Sequence, residues 1–290
     1  MTRRQVLMAL LLALGLAVAG PARAAEMRIV SIGGSVTEVL FALGYGGRIV
    51  ADDTTSIYPP EAAALPKIGY MRTLAAEPIV ALSPDLVIAV DHAGPKKILD
   101  QIAAAGVPVV IVSDRPTDEG VSAKIREVAK AVGAEARGEE LVAGIEKTFA
   151  RIKAVLGQEQ ARPSVLYILS ASDGAPLAAG QNTAADGMIR LAGGRNAIQG
   201  YDGYKPLSPE VAVTANPDYV VVAQHGIDTL GGIEGLAKRP DLGLVPAVKE
   251  GRVLVLDANY LLGFGPRAPQ ATAELASHLH PALASDLAIP

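Results

Sequence analysis

The sequence predicts an α/β fold of two lobes, each built on a mostly parallel sheet, joined by one long α-helix. Short runs rich in β-branched residues, such as residues 86–90 and 107–112, are typical of strands that are buried on both faces of a parallel sheet. Segments with helical spacing of apolar residues alternate with such runs in both halves of the chain. A longer amphipathic segment over residues 139–156 separates the halves and predicts the joining helix.

The first half begins with a short apolar strand over residues 28–32, which runs into Gly33 and Gly34. A helix is expected over residues 37–44, where a final glycine suits the helix end. Another helix, over residues 96–105, lies between the two buried strands. This alternation of strand and helix is Rossmann-like.

The second half repeats the plan. Its expected strands and helix, in chain order, are residues 165–169, a helix over 184–191, and strands over 219–222 and 253–256. We therefore divide the chain into an export signal, a first lobe, a linker helix and a second lobe, over residues 1–24, 25–133, 134–161 and 162–290.

The N-terminal segment resembles an export signal rather than part of the fold. Arg3 and Arg4 precede an uninterrupted apolar run over residues 6–19, and a small-x-small cleavage pattern ends at Ala24. The run is too short to anchor the chain in a membrane, which takes about 20 apolar residues. We expect cleavage between Ala24 and Ala25 and release into the periplasm, by general secretion or by a twin-arginine route.

Composition argues against several kinds of partner. The formal net charge is −4, and no basic patch with interleaved aromatic residues indicates nucleic-acid binding. Cysteine is absent, which excludes disulfides, thiolate metal sites and a lipid-modified cysteine after the signal. We therefore expect the mature protein to be free of a membrane anchor. We also expect it to be a monomer.

No motif favours an enzyme. The glycines after the first strand do not form Gly-x-Gly-x-x-Gly or a phosphate-binding loop, and no nucleophile elbow is present. A cage for Zn²⁺ or Mn²⁺ needs about three converging ligands. Of the four histidines, His278 and His280 fall on a C-terminal helix where we expect them to be solvated, which leaves too few for such a cage.

The two halves share one spaced motif. Glu77 is followed seven residues later by a Pro-Asp pair and a buried strand, and Glu210 is followed in the same way. Each glutamate opens a short apolar helix, and Ser208 is a suitable N-cap for the second one. Acidic residues also stabilise helix N-termini through the helix dipole, which accounts for each glutamate singly but less well for the matched pair.

With these features the chain resembles the class III periplasmic binding proteins of ABC importers, which bind vitamin B12, siderophores or haem. The resemblance covers residues 26 to about 285. Three segments resemble the haem branch of that class, over residues 68–74 (IGYMRTL), 179–186 (AGQNTAAD) and 262–267 (LGFGPR).

The resemblance implies a rigid two-lobed protein that binds its ligand in the cleft between the lobes. It also implies that one glutamate at the tip of each lobe pairs with arginines of the permease dimer, which works with an ATPase. Glu77 and Glu210 match those positions.

The resemblance further implies that Tyr70 is the axial ligand of ferric haem, carried as cargo in the form of haem b. Tyrosinate is a known haem ligand, and Fe(III) favours the ionised phenol. Arg72 lies two residues on, where a guanidinium that donates to the phenolate oxygen would lower its pKa.

The other candidate residues of the cleft are less constrained. His225 follows a strand end of the second lobe, and Arg267 either meets a haem propionate or braces its own loop. Haem binders of this kind that carry a second haem ligand have a histidine near Ser170; its absence here favours one haem. A siderophore or cobalamin on the same scaffold is the alternative, although the chain lacks the Trp that often lines siderophore clefts.

Overall fold

The structure, a computed structural model, describes residues 27–171 and 174–289. The predicted export signal, residues 1–24, and its cleavage site lie outside these ranges. Within them, no helix is both long enough and apolar enough to cross a membrane.

The first half of the chain alternates strands and helices, as predicted. In order these are β1 (Ile29–Ile32), α1 (Gly34–Ala42), β2 (Ile49–Asp52), α2 (Pro60–Ala63), α3 (Ala76–Ala81), β3 (Leu86–Val90), α4 (Lys96–Ala104), β4 (Val109–Val112) and α5 (Asp118–Val132). The strands form a parallel sheet in the order β2-β1-β3-β4. All five residues of β3 are buried, because helices cover both faces of such a sheet.

The second half starts with the long helix and continues with a mixed sheet. The elements are α6 (Glu135–Leu156), β5 (Ser164–Ser170), β6 (Leu177–Ala179), α7 (Ala184–Leu191), β7 (Arg195–Asn196), β8 (Tyr204–Pro206), α8 (Pro209–Ala215), β9 (Tyr219–Ala223), α9 (Gln224–Asp228), α10 (Ile233–Lys238), α11 (Pro246–Lys249), β10 (Val253–Leu256), α12 (Ala258–Leu262), α13 (Ala268–Leu279) and α14 (Ala284–Leu287). The sheet order is β10-β9-β5-β6-β8, with β7 beside β5. β10, β9, β5 and β7 pair in parallel, whereas β6 and β8 add an antiparallel edge.

The starts of three elements differ from the prediction by two to four residues. Helix α1 begins at Gly34, three residues earlier than expected, because Gly33 turns the chain at a φ of 106° and its carbonyl accepts the first helical bonds. Strand β4 begins at Val109 rather than at residue 107, since Pro108 has no N–H for the sheet. Helix α6 begins at Glu135 rather than at residue 139, because its first turn is polar and lacks the helical spacing of apolar residues on which the prediction depends.

The lobes meet through a continuous apolar cluster that includes Val30 of β1, Phe149 of α6 and Val165 of β5. A buried cation also joins them. Lys124 of α5 has no exposed surface, and its Nζ donates to Ser35 Oγ (3.0 Å), to the Asp114 carboxylate and to the carbonyl oxygens of Phe264 (3.0 Å) and Gly263 (3.3 Å). A lysine is tolerated in such a place only when acceptors surround its charge.

The expectation that both C-terminal histidines are solvated is wrong for His280. His278 is exposed, but His280 is only 5% exposed, because the chain bends after α13 and carries the imidazole inward against Gly193. The helical period of α13 ends before this residue and does not predict the bend.

Candidate ligand-binding cleft

A cavity of about 680 Å³ lies between the lobes, and residues of both lobes line it. Its walls are built largely by the segments that follow the carboxyl ends of the strands. Gly33 and Gly34 follow β1, His92 follows β3, and His225 follows β9. In both sheets the chain reverses its winding between neighbouring parallel strands, β1 with β3 and β5 with β9, and ligands bind at such points.

Tyr70 lies on the wall of this cavity, as the sequence predicts. The backbone before it pairs with the end of β2, where Ile68 N donates to Asp52 O (2.9 Å) and Thr54 N donates to Gly69 O (3.0 Å). Gly69 has a φ of 99°, which turns the chain so that the Tyr70 side chain is 43% exposed in the cavity. The phenol is thus presented on a fixed turn.

Arg72 also lines the cavity, but no hydrogen bond joins its guanidinium to the Tyr70 hydroxyl among the described residues. Its charge acts on Tyr204, which belongs to the opposite lobe and also lines the cavity. Burial raises the pKa of Tyr204, although the Ala185 N–H, the Thr183 hydroxyl and the Arg72 charge all oppose the rise. The Tyr204 phenol therefore remains neutral across the cavity from Arg72.

Two histidines line the cavity from opposite lobes at equivalent positions of the repeat. His92 follows Asp85 by seven residues, and His225 follows Asp218 by seven residues. Sequence reasoning placed His225 here and missed His92, which the same spacing would have found. His92 Nδ1 lies 3.3 Å from Asp91 Oδ1 and 3.5 Å from Asp114 Oδ2, so its orientation is set by carboxylates.

Arg267 lies behind the cavity wall, where it joins the lobes. Its Nε donates to Glu38 Oε2 (2.9 Å) and its Nη2 donates to Glu38 Oε1 (2.6 Å), a two-point pairing with α1 of the first lobe. The guanidinium also lies over the ring of Tyr58, which lines the cavity. Arg267 thus links its own loop in the second lobe to Glu38 and Tyr58 of the first lobe.

Glu77 and Glu210 are both exposed and are the second residues of α3 and α8. The Ser208 side chain caps α8 as predicted, accepting from Val211 N (3.3 Å). The aspartates of the repeat have a structural role. Asp85 Oδ2 accepts from Arg28 N (2.8 Å) and Asp218 Oδ2 accepts from Ser164 N (2.7 Å), at the starts of β1 and β5.

The cavity is thus lined by phenol, guanidinium and imidazole groups. In the described part of the chain, no three or more His, Cys, Asp or Glu side chains group to hold a metal ion.

Known proteins resemble this chain over nearly its whole length. The periplasmic heme-binding protein RhuT from Roseiflexus sp. RS-1 is 42% identical with a TM-score of 0.84, and the match covers 91% of this chain and 100% of RhuT. The fold predicted from the sequence is therefore confirmed.

Two further bacterial relatives are less similar in sequence. The uncharacterized ABC transporter substrate-binding lipoprotein YvrC of Bacillus subtilis (strain 168) is 29% identical over 88% of this chain and 80% of YvrC. The vitamin B12-binding protein of Vibrio parahaemolyticus serotype O3:K6 (strain RIMD 2210633) is 25% identical over 87% of this chain and 88% of its own length.

The descriptions of these relatives are of binding proteins, in line with the expectation of a binding protein rather than an enzyme. The family model described as "Periplasmic binding protein" matches residues 29–260, which include both sheets and most of the residues that line the cavity. The chain therefore belongs to the periplasmic binding protein family.

Proposed function

We propose that this chain captures ferric haem in the cavity between its lobes and delivers it to the permease of an ABC importer. The observation that carries the proposal is Tyr70, a phenol 43% exposed in the cavity on a fixed turn, with Arg72 on the same wall. The 42% identity to the heme-binding protein RhuT supports haem as the cargo.

The chemistry of the wall suits oxidised iron. A neutral phenol is a poor ligand, but Fe(III) brings enough positive charge to favour the phenolate, and a phenolate oxygen prefers ferric over ferrous iron. The Arg72 guanidinium, which already acts on Tyr204, is available to the phenolate once that charge forms. His225 reaches the same cavity from the second lobe and is a further contact for the cargo.

The compartment and partners follow from the chain and its family. An export signal over residues 1–24 with cleavage near Ala24 would place the mature chain in the periplasm. Glu77 and Glu210 are exposed, matched acids, one on each lobe, and are the proposed contacts for arginines of a twofold-symmetric permease with its ATPase. The mature protein is proposed to carry no lipid on a cysteine, because the sequence has none, and it is proposed to be a monomer.

Cobalamin is the second candidate cargo. The vitamin B12-binding protein of Vibrio parahaemolyticus favours it, at 25% identity, and the same scaffold serves both ligands. A siderophore has no comparable support.

The test is a titration of the purified mature protein with haemin, followed by visible absorption. We expect a shifted Soret band with the charge-transfer band of a ferric phenolate complex. Tyr70→Phe keeps the ring but removes the ligand oxygen, so the charge-transfer band should vanish. Arg72→Met removes a group that orients the ligand and should weaken haem binding by about 10- to 100-fold.

Tyr45→Phe is the matched control, since that hydroxyl donates to Val132 O (2.9 Å) outside the cavity and should leave the spectrum unchanged. A parallel titration with cyanocobalamin tests the second candidate. Haem spectra that are identical in the wild type and in Tyr70→Phe would refute the assignment of Tyr70. Tight binding of cyanocobalamin without binding of haemin would replace the cargo.

A further inference from the structure

Tyr58 follows β2 and presents its ring to the cavity between the lobes. The side chain is 43% exposed and lines the cavity. The guanidinium carbon of Arg267 lies 3.6 Å from the ring centroid, a distance at which it must lie over one face of the ring. The guanidinium covers that face, so the exposed surface of the ring lies on its edges and its other face, and the residue lines the cavity.

Arg267 is itself fixed on its remaining sides. Its two hydrogen bonds to the Glu38 carboxylate, at 2.9 and 2.6 Å, hold the guanidinium plane, and the ring of Tyr260 lies 5.0 Å away. Arg267 and Tyr260 belong to the second lobe, whereas Glu38 and Tyr58 belong to the first. The Tyr58 ring is thus held by a cation from the opposite lobe.

The segment that carries Arg267 is anchored as well. Phe264, three residues earlier, has a φ of 48°, an unfavourable value for a side chain of its size, and its ring is 1% exposed. Its carbonyl and that of Gly263 accept from the buried Lys124 ammonium. A strained conformation persists only where its surroundings fix it, and strain of this kind concentrates at ligand sites.

We propose that the free face of Tyr58 is a stacking platform for the porphyrin plane of the cargo, with Arg267 and Glu38 as positioning residues. This rests on the proposed function in haem binding. A flat aromatic macrocycle stacks well on an aromatic ring, and binding loses less entropy when that ring is already immobile. The contact is with the macrocycle and not with the metal, so it is separate from the role of Tyr70.

This separation gives the test. The wild type and three variants, Tyr58→Ala, Tyr58→Phe and Tyr70→Ala, are titrated with haemin and with metal-free protoporphyrin IX, and the quenching of protein fluorescence is followed. Tyr58→Ala should lose about tenfold in affinity for both compounds, because both have the same macrocycle. Tyr58→Phe keeps the ring and should recover most of that loss, whereas Tyr70→Ala should weaken haemin binding and leave protoporphyrin IX binding nearly unchanged.

Tyr45→Ala is the matched control. That ring is also paired with an arginine, Arg48 at 5.5 Å, but it lies outside the cavity, and its loss should not change the affinity for either porphyrin. Tyr58→Leu is a second test of the ring, because leucine keeps an apolar side chain without an aromatic face. This variant should also bind both porphyrins more weakly than the wild type. Wild-type affinity for protoporphyrin IX in folded Tyr58→Ala and Tyr58→Leu would overturn the platform while leaving Tyr70 ligation intact. Failure of the wild type to bind either porphyrin would overturn the proposed function as well.

Discussion

The imidazole of His280 is buried beside Gly193, and its Nε2 has no hydrogen-bond partner among the described residues. Burial lowers its pKa below the ordinary 6.5, an effect that outweighs the opposing contacts with Gly193 and Glu159. The folded protein therefore resists protonation of this side chain at mildly acidic pH.

The consequence is a pH-dependent stability. Below pH 6.5 the unfolded chain binds a proton at His280 more readily than the folded chain, so the stability that neutral His280 contributes is present above this pH and is lost as the pH falls through the window below it. We expect His280→Gln to show a smaller drop in urea midpoint between pH 7.5 and pH 5.5 than the wild type. His278→Gln, an exposed neighbour on α13, should behave as the wild type. Equal drops in all three proteins would contradict this account.

At the cavity, single residues were predictable where a local motif contained them. Tyr70 and Arg72 lie in one short segment, and the structure places both on the cavity wall. No local motif identifies Tyr58 or Tyr204. Their positions on the cavity wall depend on which loops of the two lobes come together, and such long-range contacts leave no pattern in the neighbouring sequence. His92 could have been predicted, because it follows Asp85 of the repeat by the same seven residues that separate His225 from Asp218.

At the scale of elements, α7 is placed by close contact with the first lobe. A Cβ on Gly187 would lie 2.3 Å from the carbonyl oxygen of Pro116 and 2.9 Å from its Cβ, so the helix and the loop approach each other at a position where only glycine fits. Pro116 lines the cavity. The packing of this helix therefore contributes to the shape of the ligand space.

We expect Gly187→Ala to destabilise the protein by roughly 1–3 kcal/mol, because the backbone of the other lobe must shift. Gly144→Ala is the matched control within a helix, since Gly144 of α6 is exposed and a Cβ there would meet nothing within 4 Å. That change should stabilise the protein by about 0.5–1 kcal/mol through helix propensity. Urea unfolding measures both; a gain in stability for Gly187→Ala would show that the lobes are less tightly apposed there.

Elements with a clear apolar run or a helical spacing of apolar residues were predicted well, and short elements without such a pattern were missed. Strand β10 and helix α7 have the predicted bounds, because a continuous apolar run and a helical spacing define them. The antiparallel strands β6 and β8 were not predicted. Each has three residues, too few for any alternation to be visible, and their pairing depends on the loop between them.

At the scale of the whole molecule, the internal repeat relates the two lobes and sets two acids apart on their surfaces. If a symmetric permease binds both, Glu77→Lys and Glu210→Lys should each reduce haem transport into vesicles that contain the importer, and the double variant should reduce it further. The affinity for haemin should stay unchanged, because neither residue lines the cavity. The defect should shrink as salt increases if it arises from charge repulsion alone.

Glu234→Lys is the matched control for docking. Glu234 is exposed in the first turn of the short helix α10, on the second lobe, but it has no counterpart in the repeat. Its transport rate should equal that of the wild type. Equal transport by Glu77→Lys, Glu210→Lys and Glu234→Lys would contradict docking through the matched acids.

The ammonium group of Lys124 has accepting atoms in both lobes and no surface that water can reach. Swinging the lobes apart would separate that cation from two carbonyl oxygens of the second lobe, which costs energy because a buried charge depends on its acceptors. The contacts of Lys124 therefore resist relative movement of the two lobes. We therefore expect a ligand to enter and leave the cavity with little movement of one lobe against the other.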